Sequence, residues 1–139
     1  MVDVDRVAST IKDIDADFIA LQELDRDVRR SGKVDQPGEL QRLTGMWVAF
    51  WPTAAFGGGE FGLGIAAKDP LDARFELLPK TRFDRRHGVV TTRIGGITIL
   101  ATHLSRKTLS RATEMPRLWA SCRQIKGPKV VAGDLNTAP

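Results

Sequence analysis

The chain has 139 residues, 42% of them hydrophobic and 27% charged, with a formal net charge of +4 and a pI near 9.6. That length suits one domain and hardly more, and the composition is that of a soluble globular protein. The lone cysteine, Cys122, excludes an internal disulfide, and no apolar run approaches the roughly 20 residues a membrane-spanning helix needs. Cysteine usage and an N-terminus without an apolar signal region favour a cytoplasmic setting. Lys and Arg are spread along the chain, with small clusters at Arg26–Arg30 and Arg82–Arg86. Such a spread reads as an ordinary solvated surface before a dedicated nucleic-acid patch.

In chain order, Val4, Val7, Ala8, Ile11 and Ile14 fall on one stripe and predict a helix over 4–14, with Asp3 able to cap its start. Asp17 to Glu23 is an apolar run with a polar end, as in a buried strand emerging at a site. Residues 25–36 are polar and read as a loop. Pro37 to Thr44 predicts a short helix, with Pro37 in its first turn and Gly45 just past its end. Trp47–Trp51, Phe61–Ala67 and Arg74–Leu78 read as strands, the first two separated by Gly57-Gly58-Gly59. Trp47 and Trp51 are expected in the core. Val89–Ile94 and Ile97–His103, joined by Gly95-Gly96, carry the clearest hairpin signal. Met115, Leu118, Trp119, Cys122 and Ile125 make a helical stripe. Pro116 conflicts with a helix interior, so that helix is expected to start about one turn before it. Lys129 to Gly133 predicts the last strand. Helices mixed with strands imply layered α/β construction.

Three motifs sit at predicted strand ends: "ALQEL" around Glu23, "ATHLS" around His103, and "AGDLN" around Asp134 and Asn136. Strand alternation would aim Asp134 and Asn136 the same way and turn Leu135 into the core. A carboxylate such as Glu23 is a hard oxygen ligand suited to Mg²⁺ or Mn²⁺. A histidine can donate to phosphate oxygens. Phosphoester hydrolysis asks for these parts: a cation, a group to orient water, and donors for the phosphoryl oxygens.

The segments "FIALQEL", "EFGLGIAAKDPL", "ILATHLS" and "VVAGDLN" resemble, in order and rough spacing, those of the endonuclease/exonuclease/phosphatase superfamily. The resemblance extends over nearly the whole chain. It implies an α/β fold in which a two-sheet β-sandwich is flanked by helices on both outer faces. It also implies Mg²⁺- or Mn²⁺-dependent hydrolysis of a phosphoester by water attack without a covalent intermediate. Carried over residue by residue, it makes Glu23 the metal-binding Glu and His103 a phosphate contact or proton donor. Asp134 becomes the Asp that activates water, and Asn136 the Asn that steadies that Asp or contacts phosphate. Many relatives carry Arg-Gly before the strand leading to "THL"; here Arg86 and His87 occupy that place, as candidate phosphate contacts. Leu63 stands where relatives often have Asn.

The family's first strand, with its Asn, and its closing Asp-His segment have no counterpart here. Residues 1–139 are therefore expected to form a partial domain with little turnover of its own. The substrate class stays open among nucleic acid, phospholipid head group and small phosphate ester, and no obligate protein partner is evident. A catalytically dead phosphate-binding module of the same fold is the competing expectation.

Overall fold

The computed structural model describes residues 2–82 and 84–137. The chain divides into two compact units, Met1–Leu71 and Asp72–Pro139. Among the described residues there are three α-helices and seven strands in two sheets.

In the first unit, helix α1 (Val4–Ile14) has the predicted bounds. Asp3 caps it by accepting from the Arg6 amide at 3.0 Å, which satisfies one of the unpaired N–H groups of its first turn. Strand β1 (Phe18–Arg26) runs three residues past the predicted end. The segment read as a loop contains the end of β1, a 3₁₀ turn at Arg29–Ser31 and the start of helix α2 (Gln36–Thr44). Asp35 caps α2 through the Gly38 amide, and Gly45 ends it in the left-handed conformation. Strands β2 (Trp47–Phe56) and β3 (Gly59–Ala67) form a hairpin, and β1 pairs antiparallel with the other side of β3.

Both helices of this unit bury their apolar stripes on one sheet face. Ala8 and Ile11 of α1 and Leu40 of α2 meet Leu24, Met46 and Ala66 there. Strand β2 lies at the edge of the sheet, which explains why Trp47 is 52% exposed and Trp51 only half-buried, against the expectation of core burial.

The second unit is one sheet in the order β4 (Ala73–Leu77), β5 (Gly88–Ile94), β6 (Ile97–His103), β7 (Lys129–Asp134). The β5–β6 hairpin turns on Gly95 and Gly96, both at positive φ, as a tight two-residue connection requires. Helix α3 (Thr108–Gln124) then crosses over so that β7 pairs parallel with β6, and a parallel neighbour needs such a crossover. Leu118 and Cys122 of α3 pack with Leu78, Val89, Leu100 and Leu104, with Met115 and Ile125 at the margin. Trp119, at the rim of this stripe, is half-exposed rather than core.

Helix α3 begins well before the expected point and holds Pro116 in its middle. Proline there leaves the Ala112 carbonyl without its intrahelical donor. Both residues face solvent, so water can satisfy that carbonyl and the helix continues. Replacing Pro116 with Ala removes no buried contact and restores the N–H. We expect stabilisation of about 2 kcal/mol, part of the ~3 kcal/mol interior cost being offset by greater freedom of the unfolded chain. Urea denaturation of the two proteins would measure it.

Candidate active site

The first-unit candidate is Glu23. It lies inside β1, not at its end. Leu21 pairs with Gly64 and Leu24 with Gly62, so Gln22 and Glu23 together oppose the single residue Leu63. This two-against-one bulge re-aims a side chain out of the strand's alternation. Glu23 adopts φ 59°, a left-handed conformation that costs a non-glycine residue on the order of 1–2 kcal/mol. Its side chain borders a cleft of about 550 Å³ lined by Val7, Leu21, Gln22, Arg30, Gln36 and Leu40 among others.

Asp25, two residues on, is 3% exposed and fully committed. Arg30 donates to its two carboxylate oxygens from Nε and Nη2, at 2.8 and 2.9 Å. That guanidinium holds Asp25 below the usual carboxylate range, overcoming burial, which pushes the other way. Arg30 is itself braced over the rings of Phe56 and Phe61. Among the described residues no three His, Cys, Asp or Glu side chains gather into a metal cage. A hard cation such as Mg²⁺ commonly takes one or two carboxylates and completes its shell with water and substrate phosphate. The exposed Glu23 carboxylate fits that mode as a single protein ligand.

The second-unit candidates come together at the ends of the parallel pair β6–β7, where His103 is the register partner of Asp134. The strands lie so close that a Cβ on Gly133 would sit 1.8 Å from the Thr102 carbonyl oxygen, so glycine is required in "AGDLN". His103 is 4% exposed, while the Asp134 side chain is 56% exposed. His103 Nε2 stands 4.0 Å from Asp134 Oδ2.

Asn136 departs from the expected alternation, because the strand ends at Asp134 and Asn136 turns into the left-handed region at φ 50°. Its amide donates to Asp134 Oδ1 at 2.8 Å, and its side-chain Nδ2 donates to the Leu104 carbonyl at 2.8 Å. Asn136 therefore steadies Asp134 and ties β7 to the residue following His103. Leu135 packs into the core as expected.

Of the two candidate phosphate contacts ahead of β5, Arg86 is exposed and His87 is buried, at 4% exposure. Its Nδ1 is 2.8 Å from Glu114 Oε1, and its ring centroid is 5.9 Å from that of His103. Glu114, 1% exposed, also accepts the Ser105 amide on Oε2 at 2.8 Å. One buried carboxylate thus fixes both the ring beside His103 and the backbone just beyond it. Sequence reading missed Glu114. A signal existed: it stands four residues before Leu118 and eight before Cys122, placing a charge on the buried face of α3.

Asp84 was missed as well. Burial tends to raise its pKa. The hydroxyls of Ser105 and Ser110, the Arg85 amide and nearby His87 outweigh that and lower it to about 2.

The fold is that of an α/β protein built on two sheets, and solved structures match it. The endonuclease/exonuclease/phosphatase from Beutenbergia cavernae DSM 12333 superposes with a TM-score of 0.77 at 23% identity, over 98% of this chain and 42% of that one. TDP2 from C. elegans gives 0.65 at 20% identity, over 97% and 42%. ANGEL2, a 2′,3′-cyclic phosphatase, gives 0.68 at 21% identity, over 96% and 43%. The chain thus spans less than half the length of these three. No curated protein matches the sequence. The model of the Endonuclease/Exonuclease/phosphatase family matches residues 2–139, and the chain belongs to that family.

Two outcomes follow from Glu114 and Asp84. Glu114→Ala strands the Ser105 amide and His87, and should lower stability by about 3 kcal/mol; Glu114→Gln, which keeps an acceptor, should cost less than half of that. Urea denaturation at neutral pH separates them. Because Asp84 is depressed when folded, its stabilisation is present above about pH 4 and lost as pH falls towards 2. Asp84→Asn should flatten the fall in urea midpoint across that window relative to wild type.

Proposed function

We propose that this protein hydrolyses a phosphoester by divalent-cation-assisted attack of water, with the second-unit strand ends handling water and phosphate. The observation that carries the reading is the Asp134–His103 gap. At 4.0 Å it is too wide for a direct hydrogen bond and suits one oxygen accepted or donated to on both sides. A water, which can donate to the carboxylate and accept from the ring, is such an atom.

In this reading Asn136 immobilises Asp134 Oδ1 and leaves Oδ2 to orient the water and take its proton as the water oxygen bonds to phosphorus and the ester P–O bond breaks, the leaving oxygen taking a proton from solvent. His103 donates a hydrogen bond to a phosphoryl oxygen, countering the charge that grows there. Its ring cannot swing away, being buried beside His87, which Glu114 fixes in turn. The exposed Glu23 carboxylate of the first unit would hold Mg²⁺ or Mn²⁺, the kind of cation that supplies charge neutralisation in reactions of this class. Family membership supports the reaction class. The neighbours named for phosphatase chemistry support it as analogy only.

Hydrolysis of bis-(p-nitrophenyl) phosphate by the protein as its gene encodes it would test this. Activity should need Mg²⁺ or Mn²⁺ and vanish in EDTA. Asp134→Asn and His103→Asn should each lower kcat about 100-fold or more with little change in KM. Full activity in EDTA, or an Asp134→Asn enzyme as fast as wild type, would rule the reading out. Metal-independent phosphate binding without turnover would instead identify a binding module.

A further inference from the structure

The chain-wide charge of +4 conceals a division. From Met1 to Leu71 there are eight Lys and Arg against twelve Asp and Glu, a net of −4; from Asp72 to Pro139 there are thirteen against five, a net of +8. The evenly solvated surface expected from the sequence is therefore an average over two units of opposite sign. Of the five carboxylates in the second unit, Glu114 is buried, Asp84 accepts from Ser105, and Glu76 is paired with Arg117.

Six of the thirteen cations lie in two short segments: Arg82, Arg85 and Arg86 within residues 82–86, just ahead of β5, and Arg106, Lys107 and Arg111 between β6 and the first turn of α3. Side-chain hydrogen bonds pin these segments together. The Thr81 and Ser110 hydroxyls are 2.6 Å apart, and the Ser105 hydroxyl donates to Asp84. Asp84 accepts the Arg85 amide at 2.9 Å, and Ser105 Oγ accepts the Lys107 amide at 2.9 Å. Arg111 Nη1 donates to the Ser105 and Arg106 carbonyls at 2.9 and 3.1 Å. The result is a fixed rim of six cations and one carboxylate. On one side it begins at Arg106, three residues after His103, and on the other it ends at Arg86, next to the buried His87.

We infer that this rim is a docking surface for the phosphodiester backbone of a polynucleotide, which extends past the reacting phosphate held near His103. The inference rests on the hydrolase reading for what happens at His103, and names the substrate class of that site. A small phosphate ester would need one or two cations, not a rim of six. Five of the six are arginines, whose planar forks engage phosphate oxygens two at a time. Attachment to an anionic membrane would call for several large apolar side chains alongside the charge. Among the described residues of the two segments only Leu109 is of that kind and exposed, at 81%.

The test is fluorescence anisotropy of a labelled single-stranded oligonucleotide titrated with this chain in EDTA, across a salt series. Affinity should fall with salt at a log–log slope of about −4, since each phosphate neutralised on a single strand contributes about −0.7. The quadruple variant Arg85→Ala, Arg86→Ala, Arg106→Ala, Lys107→Ala should bind at least about tenfold more weakly and lose about 3 units of slope. The variant with Lys at the three arginine positions should keep the slope, and so exclude misfolding as the cause. Arg6→Ala with Lys12→Ala, on α1, should change neither. Unchanged binding by the quadruple variant would overturn the inference. So would tighter binding to phosphatidylserine-containing vesicles than to the oligonucleotide. Because no metal or turnover enters the measurement, absence of hydrolysis would count against the proposed activity without touching this result.

Discussion

Parallel pairing of β6 with β7 is the constraint on which the second-unit geometry depends. It sets His103 opposite Asp134 and brings two chain segments thirty residues apart to one sheet end. Beyond the last paired residues the ladder would stop and leave polar backbone unpaired, a costly state in a buried location. Here side chains and backbone continue the job. The Leu104 amide donates to the Asp134 carbonyl at 2.9 Å, Asn136 Nδ2 donates to the Leu104 carbonyl, and Glu114 takes the Ser105 amide. The residues that form the candidate site are therefore also those that terminate the sheet. A substitution at Asn136 or Glu114 would act on position before it acted on chemistry, a distinction that matters for reading any kinetic defect there.

The first unit reaches a similar end by a different route. Glu23 is presented by a break in strand pairing, and the strained backbone persists because the pairs on both sides hold it. Downstream, Asp25 is neutralised by Arg30 and its amide is taken by Gln36 Oε1 at 2.9 Å. Of the two neighbouring carboxylates, the buried one braces the structure and the exposed one borders the cleft. Without the Arg30 fork, a buried Asp25 would be an uncompensated charge, and the bulge would lose the anchor on its C-terminal side.

Where a periodic pattern alone sets an element, the sequence reading and the structure coincide. Helix α1 has the bounds its apolar stripe and Asp3 cap imply, and Gly95-Gly96 makes the hairpin its flanking β-rich runs imply. The differences arise where one residue's local rule competes with tertiary context. Pro116 argues for a helix start, yet packing of Leu118 and Cys122 carries α3 through it. The bulge at Glu23 leaves no mark in the sequence, because the apolar run Phe18–Leu21 before it has no alternation to interrupt. Residue types at the candidate site were legible through motifs. Their support was not: Glu114 and Asp84 act through hydrogen bonds to residues 9 to 27 positions away, and pairings at that distance have no local signature.

Charge shows why a whole-chain average misleads in a chain of this kind. A divalent cation and a polyanion make opposite electrostatic demands, so a surface uniform in sign can serve only one of them. The first unit, with twelve carboxylates against eight cations, carries a net charge of −4, which favours encounter with cations. Thirteen cations in the second unit do the reverse for phosphates. Summed over 139 residues the two leave +4, and only the division into units, which is a property of the fold, reveals that they differ in sign. The pI near 9.6 is thus a weak description of this protein's surface, because the fields that ligands meet are set within a Debye length of about 8–10 Å and not by the total.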